Sequence, residues 1–248
     1  MDWLPTDTTP AAAASLIVIS CLASAISAAF GLGGGVAMLI ALLSLVPPII
    51  ALPVHALVQI GSTAGRAWML RSYIIRSVLG WFVPGCLAGI VLASQLIVEL
   101  PTQWLQMILA AFILWAVWAP GINSFVVPNK AYFAVGGATS FATMFLGATG
   151  PLLAAFLSPE RYGRDRTVAS HAACMSIQHL FKVIAFGVLG VAFVDWLPLV
   201  LAMILSGLAG TWIGRHLLRK LPERTFKVIF KSVLTLMACR LMYKAAIN

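Results

Sequence analysis

Long stretches of this sequence contain no charged residue. No Lys, Arg, Asp or Glu occurs from Thr8 to Gly65, and the runs Ser77–Val98 and Leu100–Asn129 are also uncharged. Each run exceeds the roughly 20 apolar residues that an α-helix needs to cross the hydrocarbon core of a bilayer. Because backbone polar groups in lipid must be hydrogen-bonded within their own segment, these runs are expected to be helical. The sequence therefore predicts an all-α polytopic membrane protein.

The composition also indicates that lipid surrounds most of the surface. Hydrophobic residues make up 61% of the chain and charged residues 9%, whereas soluble proteins average about 45–50% and 25%. The net charge of +9 does not indicate a nucleic-acid partner, because no basic stripe alternates with aromatic residues. The cysteines lie singly in apolar segments, so neither metal nor disulfide chemistry is expected, and no cofactor is predicted. The N-terminus lacks the basic stretch of a cleaved signal peptide.

Ten apolar segments are predicted, five in each half of the chain. We expect about eight of them to span the membrane fully and those that follow glycine-rich motifs to be short half-helices. Their predicted bounds are 10–30, 35–50, 52–70, 76–98, 102–120, 131–146, 151–158, 167–192, 196–216 and 225–246.

The two halves resemble each other in order along the chain. At an offset of 116 residues, Gly31–Gly35 aligns with Gly147–Pro151 and His55-Ala56 aligns with His171-Ala172. After an insertion, Leu87-Ala-Gly89 aligns with Leu208-Ala-Gly210. These matches predict a duplication with one repeat at 1–122 and the second at 123–248.

The distribution of basic residues predicts the orientation of the repeats. Lys and Arg cluster at 66–76, 161–166 and 215–227, and cytoplasmic loops collect these residues. With the clusters inside, corresponding segments run in opposite directions. The repeats are therefore expected to have inverted topology, with both termini on the extracytoplasmic side of the cell inner (plasma) membrane.

Glycine-rich motifs interrupt the apolar stretches at equivalent points of both halves. Adjacent glycines destabilise a helix by about 1 kcal/mol each, so one helix is expected to end and another to begin at each motif, near Val36 and Pro151. Thr149 is expected to cap the second of these helices through its hydroxyl. Free N–H groups at a helix start attract anions. The alternative is that the glycines only permit close helix packing. The predicted anion-binding residues here are Gly33, Gly34, Gly35, Thr149 and Gly150.

Polar side chains form a stripe on the third segment of each half. At 3.6 residues per turn the members of each stripe lie near one helix face, and ionisable groups inside a membrane helix usually face a cavity. No acid lies deep in a span, which favours an anion as the ligand. The histidines titrate near neutral pH and could couple transport to protons. Alternatively, the histidines are packing residues and Arg66 reaches the interface. The predicted binding residues are His55, Gln59, Ser62, Arg66, His171, Ser176, Gln178 and Lys182.

Through Gly31–Gly35, the stretch His55–Arg66 and Gly147–Pro151, the chain resembles the TauE/SafE sulfite exporter family of TSUP-type membrane transporters. The resemblance covers nearly the whole chain. It implies an inner-membrane carrier of sulfite, an organosulfonate or a similar small anion.

The leading hypothesis is a secondary transporter that exposes a central site alternately to each side of the membrane. No nucleotide motif occurs, so a proton, sodium or substrate gradient would supply the energy. An uncoupled anion channel, a membrane scaffold and a membrane-embedded enzyme remain alternatives. An enzyme is not predicted, because no acid orients the serines and histidines and neither Gly-x-Ser-x-Gly nor His-Glu-x-x-His occurs. The oligomeric state is left open.

Overall fold

The computed structural model describes residues 5, 8–30, 34–97, 101–118, 127–157 and 159–216, with a few residues between 232 and 243. Every regular element in these ranges is helical. The α-helices are α1 (Pro10–Phe30), α2 (Gly34–Leu45), α3 (Pro48–Met69), α4 (Arg76–Ile97), α5 (Thr102–Trp118), α6 (Tyr132–Leu146), α7 (Gly150–Ala154), α8 (Pro159–Tyr162), α9 (Arg164–Val188) and α10 (Leu197–His216). Short 3-10 helices occur at Arg71–Tyr73, Asn129–Ala131 and Val194–Trp196.

Five of the described helices are long and apolar enough to cross a membrane, namely α1, α3, α4, α9 and α10. The apolar parts of α2 and α5 are shorter. The chain is therefore a multi-pass helical membrane protein, as predicted. The last predicted segment, 225–246, lies mostly outside the described residues, so the expected total of about eight spans stays a prediction.

Two predicted segments, those of α3 and α9, had wrong boundaries. Helix α3 begins at Pro48 rather than at residue 52, because proline lacks an N–H and suits the first turn of a helix. Helix α9 runs from Arg164 to Val188 rather than from 167 to 192. Gly190 has a φ of 80°, and the N–H of Val191 bonds Phe186 O at 3.0 Å, which is how glycine commonly ends a helix.

One compact unit comprises Met1–Val58, Pro101–Ala119 and Ala192–Asn248. In it α1 packs closely along α10. A Cβ on Gly210 would overlap the carbonyl oxygen of Cys21, so the two backbones touch, as they do where small residues line a membrane helix contact. Two serine hydroxyls bond across this contact, Ser20 to Met203 O at 2.7 Å and Ser206 to Ile17 O at 2.6 Å.

The second compact unit comprises Gln59–Leu100 and Pro120–Val191. Its closest helix contact is between α4 and α6. A Cβ on Gly89 would overlap the carbonyl oxygen of Gly137, so this contact also depends on glycine. Each unit combines helices from both predicted repeats. The predicted boundary between the repeats, at residue 122, describes a duplication of sequence and not a contact unit. It stays a prediction.

Candidate functional site

The helix of the second half breaks where the glycine motif predicts. Helix α6 ends at Leu146 and α7 begins at Gly150. Gly147 follows α6 with a φ of 75°, a backbone angle that glycine adopts without the steric cost of a Cβ. Its N–H bonds Thr143 O at 3.0 Å. The predicted break between the two helices is confirmed.

The helix that follows the break is shorter than predicted. Helix α7 has five residues, Gly150–Ala154, whereas the expected segment ran from 151 to 158. Turn hydrogen bonds replace the helix at Phe156 and Leu157. The hydroxyl of Tyr132 donates to Phe156 O at 2.5 Å, which satisfies this carbonyl outside a helix.

Thr149 does not cap α7, so this prediction was wrong. The residue precedes the helix, but its side chain makes no capping hydrogen bond. Its buried hydroxyl oxygen instead accepts a hydrogen bond from Gln178 Nε2 at 3.1 Å. The partner on α9 thus competes successfully with the local backbone for this oxygen.

Three members of the predicted stripe on α9 contact the break between α6 and α7. Gln178 and Lys182 are fully buried, and His171 is half-buried. Because a carbonyl oxygen only accepts, each of these side chains is the donor. The bonds run from His171 Nε2 to Gly150 O at 3.0 Å, from Gln178 Nε2 to Thr139 O at 2.8 Å, and from Lys182 Nζ to Thr143 O at 3.0 Å and Gly147 O at 3.4 Å.

The contacts of Lys182 lie where α6 ends, and one of them gives Gly147 O in the break a hydrogen-bond donor. The last carbonyls of a helix have no partner within it, and a cation near this end is favoured by the helix dipole. The ammonium of Lys182 supplies both a donor and the charge. Sequence reasoning missed Thr139 and Thr143, whose carbonyls accept these bonds. The two threonines are four residues apart in an apolar segment and therefore share one helix face, which could have indicated a polar contact there.

Ser176 does not join this network. It is half-buried, and its hydroxyl donates to Ala172 O in the same helix at 2.7 Å. Such a bond to the preceding turn satisfies the hydroxyl locally. Its predicted role as a ligand receives no support from this contact.

In the first half, α2 begins at Gly34 rather than at Val36 as predicted, and Gly33 lies outside the described residues. A Cβ on Gly34 would overlap the carbonyl oxygen of Ala23. Helix α2 thus starts beside the middle of α1, and the two are separate helices. Close packing, the alternative explanation for the glycines, applies to Gly34.

His55 makes the contact in the first half that His171 makes in the second. It is fully buried, and its Nε2 lies 2.9 Å from Gly35 O, in the first turn of α2. Nε2 must carry a proton in both histidines because both partners are carbonyl oxygens. Each histidine therefore holds the start of the helix that follows a glycine motif.

The remaining stripe residues of α3 are less buried. Gln59, Ser62 and Arg66 are half-buried and follow His55 toward the C-terminal end of the helix. The carbonyl of Gln59 accepts a bond from Thr63 Oγ1 at 2.8 Å. No group of three metal-ligating side chains occurs within the described ranges.

The polar side chains of the α3 and α9 stripes are amides, hydroxyls, histidines, a lysine and an arginine. A model of the family described as sulfite exporter TauE/SafE matches residues 16–241 of the chain. The chain belongs to this family. TauE/SafE proteins are membrane transporters, so the predicted family and the predicted transporter class are confirmed. A search of the curated proteins and of the solved structures gives no match to this TauE/SafE protein.

Proposed function

We propose that the protein is a secondary transporter of a small anion such as sulfite or an organosulfonate, working by alternating access in the cell inner membrane. The buried ammonium of Lys182 is the observation that carries this proposal. Among the fully buried residues that the structure describes, Lys182 is the one with a formal charge, and the hydrogen-bond partners of its ammonium are carbonyl oxygens rather than a carboxylate. A buried cation without an ionised partner is costly, so a bound anion would stabilise it.

The anion is proposed to bind near the middle of the membrane, at the starts of the helices that follow the glycine motifs. The second half of the chain would contribute Lys182, Gln178, Thr149, Gly150 and His171. The first half would contribute the N–H groups of Gly33–Gly35 and the α3 side chains of His55, Gln59, Ser62 and Arg66. Helix α2, with 12 residues against five in α7, would supply the larger dipole to the anion.

The inverted duplication is proposed as the framework for alternating access. In the proposed alignment α1 corresponds to α6 and α10 corresponds to α4. The contacts support this correspondence, because α1 packs on α10 and α6 packs on α4, both through close glycine contacts. Each of these pairs joins a helix of the first repeat to a helix of the second, as expected if each repeat packs one of its helices against the other repeat. About eight spans and extracytoplasmic termini complete the proposal.

Flux of sulfite and of a sulfonate through proteoliposomes tests the function, using Lys182→Met. We expect flux to fall by about tenfold or more, since a hydrogen bond to a charged group contributes about 1.5–3 kcal/mol. Leu180→Met on the lipid-exposed side of α9 is the matched control, because Leu180 is 47% exposed. Lys182→Arg, which keeps the charge, should retain more flux than the Met variant. Thermal unfolding of each purified variant shows whether a loss of flux reflects a loss of fold.

The transport mode is read in the same vesicles. A carrier shows counterflow, in which unlabelled anion inside accelerates entry of labelled anion, whereas an uncoupled channel does not. Proton and sodium gradients, imposed separately, identify the coupling ion. Full flux in folded Lys182→Met would refute the proposed site, and absence of any anion flux in the unmodified protein would refute the proposed function.

A further inference from the structure

The orientation of the Gln178 amide is determined by its partners. One of the terminal atoms of this amide lies 2.8 Å from Thr139 O and 3.1 Å from Thr149 Oγ1. Since a carbonyl oxygen only accepts, this atom is the nitrogen Nε2, and both of its hydrogens are used. The amide oxygen Oε1 is therefore on the opposite side of the group. It is buried and has no hydrogen-bond partner among the described residues.

Lys182 lies one helical turn after Gln178 on the same face of α9. Its ammonium has three N–H donors, and the carbonyls of Thr143 and Gly147 account for two of them. One donor of the cation therefore remains for a further partner. Both side chains are fully buried, where a polar atom without a hydrogen bond is costly. The backbone positions of the two residues lie about 6 Å apart along the helix axis, and the pair offers one acceptor and one charged donor.

An acceptor next to a cationic donor selects a particular kind of ligand. A fully deprotonated anion bonds the ammonium but places an oxygen against Oε1, and two acceptors repel each other. An anion that also carries an O–H group satisfies both partners. We propose that Gln178 and Lys182 together recognise a singly charged oxyanion that bears a hydroxyl group, such as the hydrogen form of sulfite. This inference rests on the proposed function and specifies which form of the anion is bound.

The roles of the two residues differ. Lys182 donates to the charged oxygen of the ligand, which sets the charge requirement. Gln178 accepts from the hydroxyl, which distinguishes singly protonated oxyanions from those without a proton. Gln178 is thus a specificity-determining residue, and Thr139 and Thr149 are positioning residues because they hold its amide in this orientation.

Two nearly isosteric probes test the inference. Methylphosphonate as its monoanion and methanesulfonate are both tetrahedral and singly charged, and they differ in one hydroxyl. Each is titrated as an inhibitor of anion flux in proteoliposomes, at a pH where methylphosphonate is the monoanion. We expect methylphosphonate to inhibit at about tenfold lower concentration, equivalent to about 1.4 kcal/mol. At higher pH, where methylphosphonate becomes a dianion, this preference relative to methanesulfonate should disappear.

Gln178→Met removes the acceptor with little change in volume. We expect the ratio of the two inhibition constants to fall to about one, mainly through weaker inhibition by methylphosphonate. Leu180→Met should keep the ratio of the unmodified protein. A ratio of one in the unmodified protein would overturn the proposal without any variant, and it is also the result expected if Oε1 bonds only a structural water. An unchanged ratio in folded Gln178→Met would equally overturn it.

Failure of the inference is distinguishable from failure of the proposed function. If anions are transported but the two probes inhibit equally, only the recognition by Gln178 is wrong. If the unmodified protein transports no anion and neither probe binds it in a thermal-shift titration, the anion-transport function itself is wrong.

Discussion

Replacing Gly210 with alanine tests the close contact between α1 and α10. Alanine is the better helix former, so the substitution alone should stabilise α10 by up to about 1 kcal/mol. The added Cβ, however, would overlap the carbonyl oxygen of Cys21, which is backbone and cannot rotate away. Overpacking of this kind costs about 1–3 kcal/mol. We therefore expect a net loss of stability of up to about 2 kcal/mol.

Gly80→Ala is the matched control because it makes the same chemical change without the overlap. Gly80 lies within α4, is exposed, and would have no atom within 4 Å of an added Cβ. Its substitution should leave stability unchanged or raise it by up to about 1 kcal/mol. Thermal unfolding of both purified variants is the assay, with about 2–4 °C expected for each kcal/mol in a chain of this size. Equal shifts in the same direction would refute the backbone contact.

Two further predictions concern the hydrogen bonds around the breaks. His171→Gln should retain more flux and stability than His171→Phe, because a glutamine amide can still donate to Gly150 O. His55→Gln should likewise retain more than His55→Phe, since His55 bonds Gly35 O in the same way. Equal losses in the Gln and Phe variants would contradict this prediction. Thr149→Val should lower the free energy of unfolding by about 1–3 kcal/mol, since it leaves a buried N–H of Gln178 unpaired, whereas Thr149→Ser should not. Identical melting of these two variants would show that the hydroxyl is not the acceptor.

The helices themselves were largely predictable from the sequence. Uncharged apolar runs set the position of α1, α4 and α10 because a long stretch of such residues has few stable alternatives in lipid. Glycine and proline set the boundaries, as at Gly147, where a positive φ ends α6. Errors occurred where a boundary depends on which proline begins a helix, as at Pro48 of α3.

The partners of the site residues were not predictable in the same way. Periodicity places Gln178 and Lys182 on one face of α9, but it does not say what that face contacts. Thr149 is the clearest case. Its position before a helix predicts a local cap, yet its oxygen bonds Gln178, which lies 29 residues later in the chain. Long-range partners of this kind depend on tertiary packing, which local sequence rules do not contain.

The break in α6 and the polar stripe of α9 are two parts of one structural feature. In lipid, carbonyls freed by a helix break have no water to bond, and each unsatisfied group costs several kcal/mol. The break is therefore stable only if a neighbouring helix supplies donors at matching heights. Lys182 does so for Gly147 O in the break, and its ammonium also bonds Thr143 O, which accepts the Gly147 N–H at the end of α6. A polar stripe opposite a glycine motif in an apolar sequence thus indicates a broken helix, and the donors or acceptors left over after the carbonyls are satisfied indicate what the break binds.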